Sequence, residues 1–218
     1  EKKCSNIPKS FFSLYVIADM ILRCPSIKAV VTYNYDQFLE EALDFLSKKY
    51  KTKKRKYHTI SNWEFDKTKH PNNDFNDINI YHVHGFIPRY DEIQSPRNTN
   101  IILSLDEYYE DTKNVYSWQI ASQIHFLSQY TCWFCGLSMD DITTQRILHY
   151  VKETHREHLY YITAHSKKGK KKLDSIASIL EETKNRYHEK NGLTVVYDKN
   201  GFNNMYTLIR KLRYEKQL

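Results

Sequence analysis

Glycine is scarce in this chain. Only 5 of 218 residues are glycine, and no two of them are separated by a single residue. A G-x-G diphosphate loop is therefore excluded anywhere in the sequence. There is no phosphate-loop lysine motif, no nucleophile elbow and no histidine pair at metal-ligand spacing. Cysteine is also sparse, at 4 residues, and Cys4 and Cys24 are isolated, so no disulfide framework is encoded. Cys132 and Cys135 form one C-x-x-C, but inside a strand pattern. Positions three apart on a strand face opposite ways and suit no shared metal, so both read as buried structural thiols. No apolar run approaches the ~20 residues that span a bilayer. No signal-peptide pattern opens the chain, and no Asn-x-Ser/Thr acceptor is present. These absences lead to the expectation of a cytoplasmic protein with no membrane segment and no metal.

Tyrosine, by contrast, is abundant at 18 residues, and the hydrophobic content of 40% and charged content of 27% are globular values. A chain of this length buries one good core, so residues 1–218 are expected to form a single domain. The net charge of +7 is concentrated. Lys48, Lys49, Lys51, Lys53, Lys54, Arg55 and Lys56 make one basic run, and Lys167, Lys168, Lys170, Lys171 and Lys172 another. Nucleic-acid binding through Lys48 to Lys56 is open but not favoured, because neither run has the aromatic interleaving of a single-strand platform. They read instead as solvated helix ends and loops, where cations also suit a helix C-terminus.

Hydrophobic periodicity alternates between strand and helix along most of the chain. A helix is expected over 11–22, with Leu14, Ile17, Ala18 and Ile21 on one face and Pro25 beyond its end. A strand follows at 27–33, then a helix at 37–50 with Phe38, Leu39, Ala42, Leu43, Phe45 and Leu46 on one face. Residues 51–79 read as a polar excursion holding a short strand near 57–60. Further strands are expected at 78–83, 101–103, 131–135, 159–163 and 193–197. Helical regions are expected from Ser104 to about Ser128, from Asp140 to about Glu157, over 171–189 (Leu173, Ile176, Ala177 and Leu180 inward) and over 203–215. This is an α/β, Rossmann-like pattern: a mainly parallel sheet with helices on both faces.

Three of the strand ends carry polar residues, and in open α/β sheets ligands bind at the carboxyl ends of strands. Thr32, Asn34 and Asp36 close the first. Asp36 sits where an N-cap belongs, since its carboxylate can accept from first-turn amides. His84 and Gly85 close the second, and Gly136, Ser138 and Asp140 the third. His82, two residues before His84, is the decoy expected to share its strand face. An amide such as Asn34 can donate to and accept from a water or sugar hydroxyl. A histidine can take a proton from either. A glycine lets a ribose or phosphate approach, and a helix start offers free amides to an anion. The chemistry points to a nucleotide-sugar site.

These residues, in this order, resemble the sirtuin-like NAD-processing domains, in particular the divergent bacterial branch of antiphage defence proteins. Val31-Thr32-Tyr33-Asn34-Tyr35-Asp36 is similar to that branch's T-x-N-Y-D, and Tyr81-His82-Val83-His84-Gly85 to its H-x-H-G. The run with Asp106-Glu107-Tyr108-Tyr109 and the segment Phe134-Cys135-Gly136-Leu137-Ser138-Met139-Asp140 complete the set. The resemblance implies a domain that takes NAD as substrate and hydrolyses its nicotinamide–ribose bond to nicotinamide and ADP-ribose. It implies that Asn34 positions the attacking water and that His84 is the general base. Thr32, Asp36, Gly85, Gly136, Ser138 and Asp140 would contact the nucleotide, and a homo-oligomer or larger defence assembly would be the partner state. The family's Gly-rich loop has no counterpart here, so an N-terminal strand-loop-helix segment is expected to be missing. The paired C-x-x-C zinc module of deacetylating sirtuins is absent too, which favours simple NAD hydrolysis. The alternative is a catalytically degenerate module that binds NAD or ADP-ribose or serves in assembly.

Overall fold

The computed structural model describes residues 12–50, 55–61, 77–88, 101–102, 104, 106–107, 113, 116–139, 141–154, 159–164 and 171–198. The chain divides into two compact units, Glu1–Lys113 and Asn114–Leu218. Both are built from parallel strands with helices packed around them, so the α/β, Rossmann-like expectation holds.

The first unit runs α1 (Phe12–Arg23), β1 (Ala29–Thr32), α2 (Phe38–Tyr50), β2 (Tyr57–Ile60) and β3 (Ile78–His82). Its strands pair in the order β1-β3-β2, parallel throughout. The short strand inside the polar excursion is real. It joins the sheet with Tyr57 opposite Ile78 and Ile60 opposite Tyr81. β3 lies in the middle and alternates strictly, with Ile78, Ile80 and His82 buried, because successive side chains of a strand point to opposite faces. Ile78 and Ile80 pack with Ala18 and Ile21 of α1 and with Leu39, Ala42, Leu43 and Leu46 of α2. Leu14 and Ile17 join at the margin. The inner face expected for α2 is too wide. Phe38 is 45% and Phe45 48% exposed, since they flank the buried stripe, and Phe45 meets Tyr15 edge-on at 5.6 Å.

Arg55 also differs from its expected setting. Counted in the sequence as part of a solvated basic run, it turns inward. Its guanidinium donates to the carbonyls of Ile21 at 2.6 Å and Cys24 at 3.1 Å, and also to that of Ile27. Five fixed N–H donors suit a cluster of carbonyls left open at a helix C-terminus. Burial pulls the guanidinium pKa below its ordinary value, with Asp77 and Cys24 opposing. Lys48, Lys49 and Lys56 are exposed as expected. Lys51, Lys53, Lys54, Lys167, Lys168 and Lys170 lie outside the described residues.

The second unit runs α3 (Trp118–Gln129), β4 (Cys132–Cys135), α4 (Ile142–Val151), β5 (Leu159–Ala164), α5 (Lys171–Lys190) and β6 (Leu193–Asp198). The order is β4-β5-β6, again parallel. Its core gathers Ile120, Leu127, Phe134, Met139, Ile147, Leu148, Val151, Leu159, Tyr161 and Leu193. The helical region expected from Ser104 to Ser128 is interrupted. Ser104 and Glu107 form a reciprocal capping box, with bonds of 3.0 and 3.1 Å. Ser117 then starts α3 afresh as an N-cap, its hydroxyl accepting from Ile120 N. α4 stops at Val151, six residues before Glu157, where Thr154 donates to the Val151 carbonyl from both its amide and its hydroxyl. Leu180, expected inward on α5, is 60% exposed. Ile101 and Ile102 are not in a strand. The helix expected over 203–215 lies outside the described residues, as do the side chains of Leu173, Ile176 and Ala177. Among the described residues no helix is long and apolar enough to cross a membrane.

Candidate functional site

The register of the first sheet aligns two strand ends. Thr32 of β1 lies opposite His82 of β3, and Val83 N donates to Thr32 O at 3.2 Å. Two parallel strands in this register leave the sheet side by side, so the turns that follow them are neighbours. After β1, Asn34 N donates to Thr32 Oγ1 at 3.1 Å, and the Asn34 side chain is exposed. Asp36 Oδ1 accepts from Phe38 N at 3.1 Å. The N-cap position itself falls to Gln37, whose carbonyl accepts from Glu41 N. Asp36 thus does the expected capping chemistry from one residue earlier, as an Asx turn.

After β3 the strand ends at His82, one residue sooner than expected, and a tight turn begins. Gly85 N donates to His82 O at 3.1 Å. Gly85 is buried with φ 101°, a conformation that an L side chain rarely adopts. The turn breaks the alternation, so His82 and His84 do not share a surroundings as the sequence pattern implied. His84 is half-buried, its ring 4.8 Å from that of Tyr33 and 6.4 Å from that of Tyr35. Tyr35 is held in turn: its hydroxyl donates to Ile102 O at 2.5 Å, and Ile102 N donates to His84 O at 3.0 Å. The segment expected as a strand therefore braces both turns instead.

His82 is no mere decoy. It is 1% exposed, on the core side of β3 with Ile78 and Ile80. Its Nε2 lies 2.9 Å from Glu40 Oε1 and its Nδ1 2.8 Å from the backbone oxygen of Asn34. Glu40 is 5% exposed and also accepts from Thr59 Oγ1 at 3.1 Å. Sequence reading missed Glu40 altogether. The signal was present: a glutamate beside Leu39 in a buried helical stripe needs a polar partner, and strand alternation puts His82 on the face that α2 covers.

In the second unit the β4–α4 loop holds the remaining candidates. Gly136 is exposed with φ 72°, and a Cβ there would meet nothing within 4 Å. Ser138 is exposed and Met139 buried. Tyr161 Oη donates to Leu137 O at 3.1 Å and Gln145 Nε2 to Met139 O at 3.0 Å, which fixes the loop's path. The helix cap expected from Asp140 belongs to Asp141, whose Oδ2 accepts from Thr144 N at 2.7 Å and Thr144 Oγ1 at 2.8 Å. Asp140 itself lies outside the described residues. Burial pushes the Cys132 and Cys135 thiols up to about 11, far from a ligating thiolate. Among the described residues no cluster of three or more His, Cys, Asp or Glu side chains could hold a metal.

The SIR2-like domain family matches this chain over residues 28–196. The chain belongs to the SIR2-like domain family. SIR2-like domains use NAD, so the family gives the chain an NAD-related function. The match spans the β1 turn, the β3 turn and the β4–α4 loop. A search of curated proteins finds no match to the chain.

Proposed function

We propose that this SIR2-like domain hydrolyses NAD to nicotinamide and ADP-ribose, as the effector part of a bacterial antiphage defence system. The reading is supported above all by the pairing of the β1 and β3 ends. An exposed amide, Asn34, and a half-buried imidazole, His84, follow adjacent parallel strands, and Tyr33, next to Asn34 in sequence, is in ring contact with His84. In the proposed reaction Asn34 orients a water toward the anomeric carbon of the nicotinamide ribose. The water oxygen forms a bond to that carbon as the carbon–nitrogen bond breaks, and nicotinamide leaves with the electron pair. His84 takes the proton that the water loses. The transition state is oxocarbenium-like, so positioning the water contributes much of the acceleration. Thr32, Asp36 and Gly85 border these two turns and would contact the nucleotide. For the second unit the reading is separate: exposed Gly136 and Ser138, with Asp140, suit a ribose or phosphate.

The absence of any G-x-G favours a second reading, a module that binds NAD or ADP-ribose without turnover. Nicotinamide release by the full chain separates the two, measured beside Asn34→Ala and His84→Ala. Hydrolysis is expected in the parent and roughly 100-fold less or lower in each folded variant. A parent that binds ADP-ribose by calorimetry yet releases no nicotinamide refutes hydrolysis and leaves the binding module.

A further inference from the structure

His82 and Glu40 stand behind the Asn34 turn, and their partners fix where the protons sit. The Asn34 backbone oxygen, 2.8 Å from Nδ1, only accepts hydrogen bonds, so Nδ1 carries a proton. The 2.9 Å approach of Nε2 to Glu40 Oε1 then needs one more proton between them, since two bare lone pairs would repel at that distance. Whichever atom holds it, the pair carries no net charge, which is how a buried carboxyl and imidazole are tolerated. Thr59 donates to the same Glu40 oxygen, and the Phe86 ring packs 4.6 Å from the His82 ring. The second Glu40 oxygen, Oε2, is buried and has no hydrogen-bond partner among the described residues. Glu40 thus acts through one oxygen, shared by Thr59 and His82, and through His82 it reaches one backbone carbonyl 48 residues away.

We propose that Glu40 and His82 are positioning residues: they hold the backbone at Asn34, and so aim the Asn34 side chain. The pair touches no reacting atom. Its hold runs from α2 through the imidazole to the carbonyl of the residue whose amide is exposed at the strand end. Rotating that peptide would sacrifice the His82 bond, so the turn is kept in one conformation. For catalysis this rests on the NAD-hydrolysis reading; the hold on Asn34 itself does not.

The decisive variant replaces both partners, Glu40→Met with His82→Leu. Exchanging a buried polar pair for apolar groups of similar size is often neutral for stability, but it removes the bond to Asn34. Glu40→Ala is made alongside. Glu40→Gln is the conservative rescue, because its amide can donate to Nε2 while Nδ1–H still reaches Asn34. In the labelled full chain, the Asn34 backbone and side-chain amide resonances are expected to shift or broaden in the double variant and in Glu40→Ala. They are expected to stay at parent positions in Glu40→Gln. The kcat of nicotinamide release should fall by roughly 100-fold in the double variant with KM little changed, as a misplaced group does. A folded double variant or Glu40→Ala protein whose Asn34 resonances match the parent overturns the proposal. So does a double variant as active as the parent, the result a merely structural pair would give. If the parent cleaves no NAD, the hydrolase reading falls while the resonances still decide the positioning role.

Discussion

Replacing Gly85 with alanine tests how the β3 turn is built. At φ 101° the residue lies beyond the left-handed helical region near +57°, which already costs an L residue about 1–2 kcal/mol. A strained position of this kind costs of order 1–3 kcal/mol. The methyl also restricts the unfolded chain, which returns about 0.4–1 kcal/mol. The net expected loss is about 1–2 kcal/mol. Relaxation is obstructed from both sides: Gly85 N donates to His82 O, and the preceding carbonyl, that of His84, accepts from Ile102 N. Gly136→Ala is the internal comparison. Its φ of 72° is nearer the left-handed well and its Cβ would meet nothing within 4 Å, so the two effects nearly cancel at about 0–1 kcal/mol. Urea unfolding followed by circular dichroism reads the difference. With a slope of about 2 kcal/mol per molar, Gly85→Ala should unfold roughly 0.5–1 M earlier. Hydrogen exchange of the β3 amides locates the loss. A Gly85→Ala protein at least as stable as its parent, or a larger loss at Gly136, would refute the reasoning.

Asp141→Ala should cost about 2 kcal/mol, roughly one for the lost cap and one for the lost bond from the buried Thr144 hydroxyl; Asp140→Ala removes neither bond, and if it proves the costlier change in urea unfolding then the cap is misassigned. The Cys132 and Cys135 thiols, raised from 9.0 to about 11 by burial, ionise in the unfolded chain before the folded one. Their contribution to stability is therefore complete below pH 9 and lost as pH rises from 9 to 11. The urea midpoint should fall across that window and fall less in Cys132→Ala with Cys135→Ala. At pH 8 each thiol should react with a disulfide reagent about 100-fold more slowly than in an unfolded peptide, the ratio of the two thiolate fractions.

The amino-acid sequence by itself determined the elements whose causes are local. β1 follows from Ala29, Val30 and Val31 running into polar Thr32, and α2 from a 3.6-residue apolar repeat next to a capping aspartate. The ordered motifs at Asn34, His84 and Gly136 were legible because each is a short segment at a strand end, and the family match runs across all of them. Even the weak strand at 57–60 showed through its pattern. Local hydrogen bonding and side-chain periodicity reach only a few residues, and these features need no more than that.

Only the tertiary structure decided where longer-range polar groups went. Arg55 looked like one cation in a basic run. It is drawn inward by carbonyls that α1 and its following turn leave open 28 to 34 residues earlier. Glu40 and His82 are 42 residues apart and met only because β3 passes under α2. Phe38, Phe45 and Leu180 sit at the margins of their helical stripes, and burial there depends on which neighbours arrive, not on the helix's own period. A buried polar group must find its partner wherever the fold brings one. That constraint turned a histidine read as a decoy into the link between the helix core and Asn34.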